Sequence, residues 1–205
     1  MIKNPPAYLD YIFLMDQLKS YASPKSKLTT MIRAGELIKV RRGIYLYGDS
    51  SSYSLKTLAN KIYGPSYLSF EYALSYYNLI LERVDSLTSA SLDKNKAKQF
   101  KTPLGFFIYR SVNPVVYPHG IVRIEEGESP FLIATKEKAL CDTLAKIRRT
   151  TSIMSLKDLL FKDLRLDKEE VLSLNKEDVA FLVPLYKKKI LFQLLKYLEE
   201  ESLHA

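Results

Sequence analysis

Basic and hydroxyl side chains are concentrated between residues 24 and 47, where six lysines and arginines accompany one acid, Glu36. This stretch carries a net charge of +5, more than half of the +8 carried by all 205 residues. Lysine and arginine neutralise backbone phosphates, and arginine, serine and threonine also form hydrogen bonds with base edges in the grooves of a duplex. Seven residues are therefore predicted to contact double-stranded DNA: Lys25, Thr29, Thr30, Arg33, Lys39, Arg41 and Arg42.

A short helix is predicted over residues 24 to 34. Ser23 is a favoured N-cap residue, and Pro24 occupies the first helical position, where proline is well tolerated. Gly35 stands where a helix commonly ends in a left-handed residue. The apolar residues of the helix recur on one side, which leaves the basic and hydroxyl residues on the other.

A hairpin is predicted directly after this helix. Residues 37–40 and 44–47 are strand-like, and Gly43 between them can adopt the positive φ of a tight turn. Arg41 and Arg42 precede this glycine, so the turn is doubly positive. The hairpin could therefore place two guanidinium groups on the phosphate backbone.

The order of these elements is that of a winged helix-turn-helix, since residues 6–21 are predicted to form one helix or two ahead of the basic helix. We therefore expect an N-terminal winged helix-turn-helix domain over residues 1–50, with its helix in the major groove and its hairpin on phosphates. The alternative is a small helix-and-hairpin subdomain with a solvated basic surface.

A polar segment, residues 48–52, separates this domain from a second one predicted over residues 51–205. Two helices, 54–62 and 66–80, come first. Strand-like runs follow at 84–91, 97–101, 104–110 and 121–124. Residues 131–147 are predicted to pass from a strand into a helix capped by Thr135, and further helices are expected at 155–163, 168–174, 176–186 and 187–201. The fold class is therefore α+β, with a mainly antiparallel sheet and C-terminal helices.

Catalytic and metal chemistry have little support in the sequence. Cys141 is the one cysteine, which excludes an internal disulfide and a zinc site built of several cysteine thiolates. We expect it to be a buried or half-buried, unreactive thiol. The chain has no phosphate-binding loop and no nucleophile elbow. Three acids, Glu125, Glu126 and Glu128, could hold Mg²⁺ but are better interpreted as a solvated loop. No enzyme activity, cofactor or metal is expected.

The sequence also bears on where the protein acts. A cysteine-poor chain fits a reducing compartment, so we expect a cytoplasmic protein. The apolar run at residues 11–15 is too short to span a membrane, and no targeting segment is recognised. The predicted partners accordingly include no membrane.

Three segments resemble, in order and spacing, the AbiEi family of bacterial antitoxins: "GELIKVRRGIY" at 35–45, "GPSYLSFEYALSYYNLI" at 64–80 and "FLIATKEKALCDTLAKI" at 131–147. The resemblance covers nearly the whole chain. The helices ahead of residue 23 are shorter and more apolar than in the family pattern.

The resemblance implies an antitoxin of a type IV toxin–antitoxin system, of the kind linked to abortive infection of phage-infected bacteria. Its winged helix-turn-helix would repress its own operon, with the seven residues above as the matching DNA-contacting positions. Its second domain would counteract a nucleotidyltransferase toxin, directly or indirectly, and a homodimer could form on the operator. The alternative is a solitary DNA-binding transcriptional regulator or a nucleic-acid-processing enzyme.

Overall fold

The computed structural model describes residues 8–48, 53–93, 96–127, 129–147 and 152–202. The fold is α+β and contains two sheets. We call residues 8–48 the N-terminal region and residues 53–202 the main region. The N-terminal region consists of β1 (Leu9–Asp10), α1 (Tyr11–Gln17), α2 (Pro24–Arg33), β2 (Leu37–Arg41) and β3 (Ile44–Tyr47).

Helix α2 has nearly the bounds that the sequence predicts, since it runs from Pro24 to Arg33 and is followed by Gly35 at φ +76°. Ser23 precedes it as expected, but its hydroxyl does not bind a backbone amide of the helix. Its Oγ instead lies 2.8 Å from the Oγ of Ser26. Proline at the start and glycine at the end therefore set the length of this helix.

The predicted hairpin is also present, with Gly43 at φ +87° in its turn. Strands β2 and β3 pair antiparallel, and β1 adds to the other side of β3, which gives the sheet order β1-β3-β2. The register shifts between Lys39 and Arg41, so that Lys39 pairs with Tyr45 and Arg41 pairs with Ile44. Val40 is thus an extra residue in the strand, a β-bulge.

The segment predicted as a helix or helix pair at residues 6–21 contains one short helix within the described residues. Asp10 caps it, because its Oδ1 accepts a hydrogen bond of 2.7 Å from the backbone amide of Phe13. Leu14 and Leu18 are buried against Leu28 of α2. The helix is therefore held by a small apolar cluster of the N-terminal region.

The main region has a six-stranded sheet with helices around it. Its strands are β4 (Ser66–Leu68), β5 (Leu87–Leu92), β6 (Lys98–Thr102), β7 (Gly105–Val112), β8 (Ile121–Ile124) and β9 (Phe131–Ala134). Its helices are α3 (Leu55–Ile62), α4 (Phe70–Tyr76), α5 (Lys136–Leu144), α6 (Ile153–Asp158), α7 (Lys168–Leu172), α8 (Lys176–Tyr186) and α9 (Lys189–Ser202). A π-helical turn, Leu159–Asp163, continues α6.

The six strands are ordered β6-β7-β5-β4-β9-β8, which places β6 and β8 at the two edges. Three neighbouring pairs are antiparallel, but β5 with β7 and β4 with β9 are parallel. The sheet predicted as mainly antiparallel is thus a mixed sheet. Both parallel pairs join strands that are not consecutive in the chain, so hairpin-like spacing does not reveal them.

The helix predicted at 66–80 begins later than expected, because residues Ser66–Leu68 form β4 and α4 begins at Phe70. Tyr67 and Leu68 are fully buried. Their strand pairs with β5 on one side and with β9 on the other. Pairing inside the sheet therefore overrides the helical spacing of the apolar residues.

Helices pack on both faces of the main sheet. Tyr109 and Arg110 are neighbours on β7, so their side chains point to opposite faces. The Tyr109 hydroxyl donates a 2.6 Å hydrogen bond to the carbonyl of Ala59 in α3. The Arg110 guanidinium donates to the Glu71 carboxylate of α4 at 2.7 Å. The large core thus has α3 on one side of the sheet and α4 on the other.

The hairpin of the N-terminal region contributes to this large core. Val40 and Leu46 are buried in the same apolar cluster as Leu58 and Ile62 of α3. The Tyr8 hydroxyl adds a polar contact, because it donates to the Ser54 carbonyl and accepts from the Ser54 amide, each at 3.0 Å. The hairpin therefore packs on α3.

No helix in the described ranges combines the length and apolar character that a membrane span requires.

Candidate nucleic-acid interface

One exposed side of α2 carries the predicted groove-contacting residues. Lys25, Thr29 and Arg33 recur every four residues, so they lie along one face of the helix, and Thr30 lies beside them. All four side chains are exposed. The face therefore has a positive group near each end and two hydroxyl groups between them.

Both threonine hydroxyls of this face bond to the helix itself. Thr29 Oγ1 donates to the carbonyl of Lys25 at 3.0 Å, and Thr30 Oγ1 donates to the carbonyl of Ser26 at 3.1 Å. This back-bonding is common for threonine within helices, and each oxygen keeps lone pairs that can accept a further hydrogen bond. The helix thus orients both threonine hydroxyls, and their oxygens can still accept a hydrogen bond from another molecule.

Two of the three predicted hairpin residues are exposed, and the third is not. Lys39 and Arg42 face solvent. Arg41 is half-buried, and its Nη1 donates a hydrogen bond to the carbonyl of Ile62 at the end of α3. Its guanidinium also lies 5.3 Å from the ring centre of Phe100 in β6. Arg41 therefore binds the main region, whereas Lys39 and Arg42 are accessible.

The bulge at Val40 accounts for the different positions of Lys39 and Arg41. In a regular strand, residues two apart share a face, so the sequence alone places the two side chains together. The extra residue re-aims the side chain that follows it. A bulge leaves no mark in this sequence that separates it from a regular strand, and the intramolecular role of Arg41 was therefore missed.

The exposed cations of α2 and the hairpin lack carboxylate partners within the described residues. Four of them form no ion pair there: Lys25, Arg33, Lys39 and Arg42. Lys27 is half-buried, with its Nζ 5.5 Å from the ring centre of Tyr21. Because no neighbouring carboxylate offsets their positive potential, these side chains are suited to contact a polyanion.

A second cluster of polar residues, which the sequence analysis did not predict, lies inside the main region. Lys138 and Asp142 are one helical turn apart on α5 and form an ion pair with an N–O distance of 3.0 Å. Both side chains are fully buried. The signal in the sequence is their i, i+4 spacing within the mainly apolar segment "KALCDTLA" at residues 138–145.

The carboxylate of Asp142 is surrounded by donors from three other elements. It accepts hydrogen bonds from the hydroxyls of Tyr67 at 3.0 Å, Ser69 at 2.8 Å and Tyr186 at 2.6 Å. Ser69 precedes α4 as predicted, but its hydroxyl donates to the Asp142 carboxylate and does not cap that helix. The carboxylate thus joins β4, the start of α4 and α8 to α5.

The ammonium group of Lys138 also has a hydrogen-bond acceptor for each of its three protons. Besides Asp142, it donates to the carbonyl of Val116 at 2.9 Å and to the hydroxyl of Tyr186 at 2.6 Å. Burial lowers the pKa of Lys138, and the negative charge of Asp142 opposes this effect. Since every ammonium proton has a partner, the pair is arranged to support the fold rather than to react with a substrate.

Cys141 lies beside this pair and is completely buried, as the sequence predicts. Burial raises the pKa of its thiol, and the charge of Asp142 raises it further. A thiol in this environment is kept protonated, so it is a poor nucleophile.

The acidic loop predicted near residue 125 makes ion pairs. Glu125 binds Arg123 at 3.0 Å, and Glu126 binds Lys56 at 2.6 Å. Glu128 lies outside the described residues. Within the described part of the chain, no group of three or more His, Cys, Asp or Glu residues is placed to hold a metal ion.

Comparison of the chain with models of known protein families gave no match, and comparison with curated proteins gave none either.

Proposed function

We propose that the protein is an antitoxin that represses its own operon through the N-terminal region and counteracts a nucleotidyltransferase toxin through the main region. The AbiEi-like segments at 35–45, 64–80 and 131–147 support the antitoxin role. The exposed, unpaired cations of α2 and the hairpin support the DNA-binding role. These exposed cations are the observation that carries the proposal.

The topology of the N-terminal region supports a winged helix-turn-helix. Helices α1 and α2 are followed by the β2–β3 hairpin, and β1 pairs with β3 to complete a small sheet. A winged domain of this kind inserts its second helix into the major groove and lays its hairpin along the backbone. In this arrangement Lys25, Thr29, Thr30 and Arg33 face the groove.

The hairpin then contacts phosphates through two residues. Lys39 and Arg42 are exposed and unpaired within the described residues, so they are available to a phosphodiester. Arg41 has a different role, because its contact with Ile62 and its position over Phe100 fix the hairpin against the main region. The proposed DNA-contacting set is therefore the predicted one without Arg41.

The DNA-binding proposal is tested with the full chain and the DNA upstream of its own gene. Lys39→Ala/Arg42→Ala should weaken binding and reduce the slope of log affinity against log salt by about two, one for each lost phosphate contact. The matched control is Lys162→Ala/Lys196→Ala, which removes the same charge from helices of the main region. Equal slopes for the two double variants would refute the hairpin assignment.

The antitoxin proposal is tested by co-expression with the product of the adjacent gene. That product should arrest growth of a bacterial host when expressed alone and be tolerated together with this chain. Lys39→Ala/Arg42→Ala should still protect the host, because protection is assigned to the main region. A neighbouring product that is harmless, or toxic in the presence of the wild-type chain, would favour a solitary DNA-binding regulator.

A further inference from the structure

A cavity of about 330 Å³ lies in the main region, away from α2 and the hairpin. Its walls are formed by the end of β7 and the turn after it, the C-terminal end of α5, and the junction between α8 and α9. Three lysines line it: Lys146, Lys187 and Lys188. The lining of the cavity therefore includes three cationic side chains.

The charges of these lysines are not neutralised within the described residues. None of the three forms an ion pair there. Lys146 Nζ donates a hydrogen bond to the carbonyl of Ser111. This carbonyl is neutral, so it does not balance the charge of the lysine. Burial lowers the pKa of Lys146, and the cations Arg110 and Lys188 add to this effect while Asp142 opposes it. An anion in the cavity would relieve this mutual repulsion.

Asp142 is the one carboxylate that lines the cavity, and it does not supply the missing negative charge. One of its oxygens accepts from Lys138 and Tyr186, and the other accepts from Tyr67 and Ser69. The carboxylate is thus committed to the ammonium of Lys138. The lining therefore carries about three positive charges, one on each lysine, without matching negative charges.

Most of the remaining lining is apolar, with Asn113 and Tyr186 as the polar exceptions. Val112, Val115, Val116 and Leu185 face the same space. A volume of about 330 Å³ is at the small end of the range for small-molecule sites, so the space fits a compact ligand rather than a nucleic-acid strand. A ligand that suits this lining carries both an anionic group and an apolar or aromatic part.

We propose that this cavity binds a small phosphate ester of mononucleotide size. The phosphate lies between Lys146, Lys187 and Lys188, where an ammonium group forms charge-assisted hydrogen bonds with phosphate oxygens. The base or another apolar part packs on the valine and leucine residues of the lining. This site is separate from the DNA surface, and the proposal does not depend on the antitoxin role.

The test is isothermal titration calorimetry of the full chain with the four common ribonucleoside monophosphates, the matching nucleosides and inorganic phosphate. At least one monophosphate should bind with a saturable curve at low salt, and its nucleoside should bind at least tenfold more weakly because it lacks the anionic group. Higher salt should weaken binding of the monophosphate, because salt screens the contact between the phosphate and the lysines.

Two matched variants locate the site. Lys187 has a left-handed backbone at φ +53°, which asparagine tolerates, so the test variant is Lys187→Asn/Lys188→Ala. It should bind the monophosphate at least about tenfold more weakly, since a hydrogen bond to a charged group contributes roughly that factor or more. Lys189→Ala is the control, because Lys189 is the adjacent exposed lysine and does not line the cavity.

Three outcomes would overturn the proposal. The first is that no monophosphate binds. The second is equal binding by the double variant and the Lys189→Ala control. The third is binding of inorganic phosphate with no added affinity for any monophosphate, which would refute the role of the apolar wall. Circular dichroism of both variants verifies that they keep the native fold.

Discussion

Several buried polar contacts converge on Asp142. A buried ion pair contributes little net stability compared with apolar residues, but removal of one partner leaves the other charge without compensation. Lys138 would then retain only the neutral groups of Val116 and Tyr186 as partners. The contribution of Asp142 is therefore expected to be large when it alone is replaced.

Asp142→Asn should lower the free energy of unfolding by about 3 kcal/mol or more, since it keeps the side-chain shape and removes the charge opposite Lys138. Urea unfolding monitored by circular dichroism measures this loss. The control is Asp158→Asn, which removes an exposed partner of Lys162 and should leave stability nearly unchanged. Comparable small losses in both variants would contradict the structural role of the buried pair.

Part of the candidate site could be predicted at this scale. The basic and hydroxyl residues of α2 lie on one exposed face because helical spacing alone determines it. The partners of Asp142 could not be predicted, since Tyr67, Ser69 and Tyr186 come from distant parts of the chain. Only the spacing of Lys138 and Asp142 is visible locally.

In the hairpin, the neighbouring residues Arg41 and Arg42 have different roles. Arg42 is exposed at the turn, whereas Arg41 is directed by the bulge at Val40 toward α3 and β6. The first position is suited to a phosphate, and the second fixes the hairpin to the main region. Single substitutions should therefore separate DNA affinity from stability.

Arg41→Ala should lower the free energy of unfolding by about 1 to 3 kcal/mol, because it removes a charged donor from the Ile62 carbonyl and a cation from the Phe100 ring. Its salt slope for DNA binding should stay close to that of the wild type. Arg42→Ala should show the reverse, with unchanged stability and a slope smaller by about one. Denaturant unfolding and binding titrations at several salt concentrations measure the two effects. If Arg41→Ala lowered the slope as much as Arg42→Ala, Arg41 would have to be assigned to the DNA-contacting residues.

Elements differ in how far the sequence determines them. The bounds of α2 and α8 follow from local signals such as Pro24, Gly35 and the capping Asn175. Strand β4 was mistaken for helix because its apolar residues also fit helical spacing, and its pairing partners are far away in the chain. The parallel pairs of the sheet were missed for the same physical reason. Long-range pairing, not propensity, decides these elements.

At the scale of the whole molecule, the N-terminal region and the main region share one apolar core. Val40 and Leu46 of the hairpin lie in the cluster formed by Leu58 and Ile62 of α3. The hairpin is therefore part of the folding unit of the main region. A second cluster, around Leu14 and Leu28, holds α1 and α2 together.

Leu46→Ala should destabilise the whole molecule by about 2 to 5 kcal/mol, since Leu46 is fully buried and its truncation leaves a cavity. Hydrogen exchange should show faster opening in α3 and β7 as well as in the hairpin, because one cooperative unit opens as a whole. Ile12→Ala is the control, as Ile12 is 81% exposed and should change stability by no more than about 0.5 kcal/mol. Faster exchange confined to the N-terminal region would contradict a shared core.

The open edge at β6 has a consequence for how copies of the protein behave in a crowded cell. An unprotected edge strand can recruit an identical strand from another molecule and start aggregation. Lys98 and Lys101 are exposed along this edge. Lys98 and Lys101 lie on opposite faces of the strand, so two such edges brought side by side would place lysines of the two copies near each other on both faces, and this repulsion disfavours pairing between copies.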